Sequence, residues 1–256
     1  MVLSIAAYIW HNPVDGPNGG TWLGYTLGGI GAALILWLLW FGIRKRRYKG
    51  SGAPVEGWLS AHVYLGVSLI TIATLHAGFN VGWNVHTLAY ALMLIVIFSG
   101  FYGVFAYIRY PAMMTKNRSS QTMHAIMSDI ADTDRESRTV ASELSDEVNQ
   151  AILDSCQKTK IGGSMRQQLS GKYRKCPTAK ACKLIEDYAK NVDQDNIESA
   201  RRLLALMNKK SVLVNRARRD VQFKAMMDIW LYLHVPLSIG LLAALIAHVI
   251  SVFFYW

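Results

Sequence analysis

Leu59–Gly78 reads LSAHVYLGVSLITIATLHAG and Ile229–Phe254 reads IWLYLHVPLSIGLLAALIAHVISVFF, and these two stretches decide the fold. Neither contains Asp, Glu, Lys or Arg. As helices, both are long enough to cross a hydrocarbon core about 30 Å thick. Each also carries two histidines 14 residues apart, His62 with His76 and His234 with His248. Fourteen residues make close to four turns, so the histidines of a pair share one helix face about 21 Å apart. An ionisable side chain inside a membrane segment is costly and marks a functional site by default. Two unrelated segments have no packing reason to share one histidine register.

Two further apolar runs complete the set. The first, from about Thr21 to Ile43, carries Gly24, Gly28, Gly29 and Gly31, which let a backbone or a flat ligand come close. It stops at the basic cluster RKRRYK, residues 44–49. The other, from about His86 to Ile108, follows the uncharged link NVGWNV and is expected to end at Arg109 and Pro111. The positive mean hydropathy, +0.20, belongs with this membrane class. Residues 1–10 are apolar but lack a charged leader and a small-residue cleavage site, so no cleavable signal peptide is expected.

The net charge of +10 is unevenly spread. Arg44, Lys45, Arg46, Arg47, Lys49 and Arg109 flank the apolar runs. The other 21 basic residues lie between Pro111 and Asp228 beside 15 acids, a balanced water-facing composition. By the positive-inside rule these regions are cytoplasmic, which accounts for the basic excess without nucleic acid. The fold expected is all-α: a four-transmembrane-helix bundle with a helical cytoplasmic insertion between helices 3 and 4. Residues 1–110 hold helices 1 to 3, 111–228 the insertion, and 229–256 the last span. Both termini face outward across a bacterial-type inner membrane.

Within the insertion, helices are expected from Ser119 to about Ser142, from Ser145 to Lys158 with Ser145 as N-cap, and from Pro177 to about Asn191. Gly162–Gly163 and the stretch around Gly171 read as loops. From Asn196 to Trp230 there is neither Gly nor Pro, which predicts one long helix running on into the last span. Cys156, Cys176 and Cys182 form no metal or haem-attachment motif and are expected as free thiols.

In this topology the second and fourth spans run parallel, so His62 lies level with His234 and His76 with His248. Two facing imidazoles suit haem iron and fill its axial positions, favouring electron transfer over oxygen binding. Zinc and non-haem iron sites gather three or four ligands at one depth, often with carboxylates, and the spans hold no acid. Two helices each bearing His-x13-His resemble the core of membrane dihaem b-type cytochromes, both the cytochrome b/b6 bundle and the ferric reductase-like domain. That resemblance covers the four spans and implies two haem b groups with His62, His76, His234 and His248 as axial ligands. It also implies a quinone as a further candidate cofactor. The orientation is opposite to that of cytochrome b/b6, and its Pro-Glu-Trp-Tyr quinol-oxidation motif is missing, so bifurcation is unsupported. The insertion carries no glycine-rich dinucleotide fingerprint.

Secondary candidates surround the four histidines. His86, at the outer start of the third span, could contact a haem propionate or a quinone headgroup, or simply face water. Gly66, Gly100 and Gly103 could clear space for porphyrin faces or serve ordinary helix packing. Arg109, with Arg44, Arg46 and Arg47, could pair with inner propionates, although setting topology and binding lipid explain most of them. The function expected is a transmembrane electron-transfer subunit linking a quinone pool or soluble donor to a partner redox protein. Iron–sulfur, flavin or multihaem c-type cytochrome subunits are its expected partners. A self-contained quinol-dependent reductase of an outer acceptor such as ferric iron, and a non-haem scaffold or sensor, are the alternatives.

Overall fold

The computed structural model describes residues 1–13, 16–46, 55–80, 82–119, 121–191 and 193–254, without the side chains of 43–46 and 55–56. The expected roles of Arg44, Lys45, Arg46, Arg47 and Lys49 therefore lie outside the described side chains. Nine α-helices cover most of the described residues: α1 Val2–Trp10, α2 Trp22–Arg46, α3 Val55–Ala77, α4 Val85–Arg118, α5 Met123–Ala141, α6 Asp146–Lys158, α7 Met165–Ser170, α8 Pro177–Asn191 and α9 Ile197–Phe254. No strand occurs among them. Helices α2, α3, α4 and α9 are long and apolar enough to cross a membrane. The protein is all-α and multi-pass, as hydropathy predicts.

The chain divides into two compact units, Met1–Val104 with Trp230–Trp256, and Phe105–Ile229. In the first, Ile35, Leu69, Met93 and Leu241 supply one buried side chain each from α2, α3, α4 and α9. Leu69 lies seven residues from both His62 and His76, and Leu241 seven from both His234 and His248. Seven residues are close to two turns, so the same faces that carry the histidines also carry this apolar layer midway between them. Helices α2 and α3 are antiparallel: Gly28 lies against His76 and Gly31 against Leu69, whereas the Phe41 ring, further along α2, lies 5.0 Å from that of His62.

In the second unit, Val140 and Ala141 of α5, Val148 and Ile152 of α6, Ala181 and Ile185 of α8, and Leu203 and Met207 of α9 form the core. Full burial of each larger aliphatic is worth about 1.5–3 kcal/mol. The water-facing helices thus hold together by ordinary amphipathic packing. Asp220, 1 % exposed, accepts a hydrogen bond from Asn117 at 2.8 Å and is ion-paired with Arg118.

Three local expectations need correction. Pro111 does not end the third span, because α4 continues to Arg118. A helix tolerates proline where neighbouring groups take up the freed carbonyls. Here the chain turns only at Ser119, whose φ of 50° is left-handed. Helix α5 begins at Met123 rather than Ser119, with the Thr122 hydroxyl accepting from Ala125 N–H at 3.1 Å. Between the two glycine loops a short helix, α7, is held by a Ser164–Gln167 capping box and stopped by Gly171 at φ 66°. The single helix α9 and the α6 and α8 boundaries match the sequence reading.

Candidate functional site

The four membrane histidines are half-buried on the inner faces of α3 and α9. Two sets of contacts organise them. The His76 and His248 rings lie 5.9 Å apart between centroids with an interplanar angle of 83°. His62 lies within electrostatic reach of His234. The helices therefore bring the histidines together in the pairs that equal spacing on parallel helices requires.

The ring nitrogens carry more information than the pairing. Nδ1 of His76 lies 2.8 Å from the Gly24 carbonyl, which can only accept, so Nδ1 holds the proton and Nε2 keeps its lone pair. Nδ1 of His234 lies 2.7 Å from Ser99 Oγ, whose own proton is donated to Val96 O at 2.7 Å. Ser99 must then accept from His234 Nδ1–H, which again frees Nε2. Nδ1 of His248 meets Nδ1 of His86 at 2.6 Å, one proton shared between two imidazoles. Nδ1 of His62 is buried with no hydrogen bond, although the Leu38 carbonyl lies beside it. Gly24 and Leu38 are themselves 14 residues apart on α2, so the helix antiparallel to α3 presents one carbonyl to each of its histidines.

Glycine sets how closely α2 can approach. A Cβ at Gly28 would lie 2.7 Å from His76 Cε1 and 2.9 Å from its Nδ1, so the ring fits only because that side chain is missing. At the other level Trp230 stacks on His234 at 5.1 Å and donates Nε1–H to Ser99 O at 2.6 Å. That indole occupies the space a Gly103 side chain would need. A Cβ at Gly100 would sit 3.8 Å from His234 Cε1, in ordinary contact. At Gly66, one turn from His62 on the same face, a Cβ would meet nothing within 4 Å. Arg109 is exposed on α4 in the second unit.

At the level of His76 and His248 the ring separation fits a metal held axially by two imidazoles. A metal bound at about 2 Å by each of two opposed imidazole nitrogens holds the ring centres about 6 Å apart, close to the His76–His248 separation. Metal-bound histidines almost always donate the other ring N–H to a carbonyl or similar acceptor, the role Gly24 O and Ser99 Oγ fill here. Among the described residues no group of three or more His, Cys, Asp or Glu converges as a metal site. A haem needs only two such ligands from the protein.

Ser99, Trp230, Leu38 and the Gly24 carbonyl escape a reading by residue type, since backbone acceptors and serines carry no signal until helix register is known. The 14-residue echo from Gly24 to Leu38 is the one cue present in the sequence. Comparison with protein-family models, curated proteins and solved structures gives no match to this chain.

Proposed function

We propose that the protein is a dihaem b-type cytochrome subunit that carries electrons across a membrane. The observation that carries this reading is the shared state of the imidazoles. At His76 and His234, Nδ1–H is committed to an acceptor and Nε2 is left as a free ligand, one histidine at each level. His76 with His248 would hold one haem, His62 with His234 the other. When bound, each haem supplies a one-electron couple, with potential tuned by its ligands and surroundings. The chain's own contribution is positional. Gly24 O and Ser99 Oγ fix ring tautomer and orientation, Gly28 admits the His76 ring, and the Ile35–Leu69–Met93–Leu241 layer keeps water and ions from the space between levels.

The positive-inside rule places the His62–His234 level toward the cytoplasm and the His76–His248 level outside. Electrons then pass between a quinone or soluble donor and a partner redox subunit, with direction set by the partners' potentials. The test is a pyridine haemochrome assay on the purified chain. About two b haems per chain are expected, and replacing one histidine of a pair should remove that pair's haem while the other remains. A folded, colourless protein would overturn the proposal and leave a scaffold or sensor. Oxidation of a quinol analogue by the chain alone, with reduction of ferric iron, would identify the self-contained reductase.

A further inference from the structure

His86 stands beside the four paired histidines, at the start of α4. Its backbone is fixed by the turn before it. Asn84 Oδ1 accepts from Thr87 N–H at 2.9 Å, and Asn84 O accepts from Leu88 N–H at 3.1 Å. The His86 ring lies 4.4 Å from that of His248 between centroids, at an interplanar angle of 90°. The two Nδ1 atoms are 2.6 Å apart. Nitrogens at that distance hold a single proton between them, because two lone pairs or two N–H groups would repel.

The same contact recurs at two other histidines with a different acceptor. Nδ1 of His76 is committed to Gly24 O, and Nδ1 of His234 to Ser99 Oγ. A neutral imidazole has one N–H, so a histidine that binds metal through Nε2 carries its proton on Nδ1. The ring that faces His76 at 5.9 Å is that of His248. Its Nδ1–H is then the shared proton, and Nδ1 of His86 is the acceptor. His86 itself is exposed, while His248 is half-buried.

We propose that His86 is the positioning residue of His248: it accepts the Nδ1–H, fixes the ring and leaves Nε2 as the ligand atom. The assignment rests on the dihaem reading and replaces a propionate or quinone contact as the role of His86. An acceptor on the far nitrogen makes an imidazole a stronger donor to its metal. His86 would thereby hold the ferric form of the His76–His248 haem against reduction.

The full chain is purified with its haems as wild type, His86→Leu and His86→Asn, and both b components are titrated electrochemically. Leucine fills the volume without an acceptor, whereas Asn Oδ1 falls where the imidazole Nδ1 was. An ordinary hydrogen bond is worth about fivefold in an equilibrium constant. In His86→Leu the reduced-to-oxidised ratio of the His76–His248 component at its wild-type midpoint should rise by about that factor. At 59 mV per tenfold this is an upward shift of about 40 mV. The other component should stay in place, and His86→Asn should restore the wild-type midpoint. Loss of the component from His86→Leu alone, with His86→Asn loaded, supports the assignment equally.

A downward shift in His86→Leu overturns it, because loss of a donor to a propionate leaves more negative charge beside the iron. An unshifted midpoint, or a His86→Asn that behaves like His86→Leu, overturns it too. Loss of the component from both variants makes His86 a ligand in its own right and likewise overturns it. Each of these results, in a chain whose wild type binds two haems, strikes the assignment alone. A colourless wild type strikes the dihaem reading and the assignment together.

Discussion

Gly28→Ala should empty the His76–His248 site and spare the other. The added Cβ would lie 2.7 Å from His76 Cε1, whereas ordinary contact begins at 3.4 Å, so the ring must move by about 0.7 Å. It is not free to do so, because Nδ1 is tied to Gly24 O at 2.8 Å on the same helix α2. Overpacking costs about 1–3 kcal/mol, and loss of that hydrogen bond adds about 1 kcal/mol. A total of about 2–4 kcal/mol weakens cofactor retention at that level roughly 30- to 1,000-fold. Gly29→Ala is the control, since its Cβ meets nothing within 4 Å. Both substitutions gain the same helix propensity, about 1 kcal/mol, so their difference isolates the steric effect. The assay is haem per chain by pyridine haemochrome, with a redox titration to resolve two components. Gly28→Ala should fall from about two haems to about one, the remaining component keeping its wild-type midpoint behind the Leu69–Leu241 layer. An unchanged titration in Gly28→Ala, or equal loss in Gly29→Ala, refutes the geometric argument.

Two further outcomes follow from single contacts. Ser99→Ala removes the acceptor of His234 Nδ1–H, a loss of about 1 kcal/mol. The imidazole becomes a weaker donor to iron, so the component at the His62–His234 level should titrate at higher potential, and Ser99→Thr should restore it. An upward shift in the other component would contradict the pairing. Among the thiols, burial opposes ionisation of Cys176, but the backbone N–H groups of Ala179 and Thr178 and the Arg218 guanidinium outweigh it, leaving its pKa below the ordinary thiol value. Burial raises those of Cys156 and Cys182. Since the thiolate is the nucleophile, the alkylation rate of Cys176 should rise at lower pH than that of either neighbour. Coincident pH profiles for the three would show that the Arg218 contact, 3.3 Å from Nη1 to Sγ, does not tune the thiol.

What could be read from the sequence tracks what depends on one helix at a time. Four spans, the long α9 and the matched histidine registers are properties of single segments, and hydropathy and the 3.6-residue period expose them. The supports of the site are properties of pairs. Whether Gly28 or Gly29 receives the His76 ring depends on how α2 is rotated against α3, and both are glycine. Pro111 misleads for a related reason: its rule concerns an isolated helix, and α4 has neighbours.

Lys210 marks the boundary between the two kinds of inference. Leu203, Met207, Val214 and Ala217 are all buried on α9, and Lys210 falls on that same stripe at the heptad position between Met207 and Val214. One helix therefore suffices to place an ammonium among core residues. It cannot reveal the partner, because Asp134 continues the Ile126–Ile130 stripe of α5 as quietly as Lys210 interrupts its own. A stripe that carries a charge must find its counter-charge on the facing helix or lose several kcal/mol. Two such interruptions on facing helices, one acidic and one basic, can then be read together as a buried pair. The same reasoning pairs histidines in the membrane unit, where the compensating element proposed is a cofactor instead of a carboxylate.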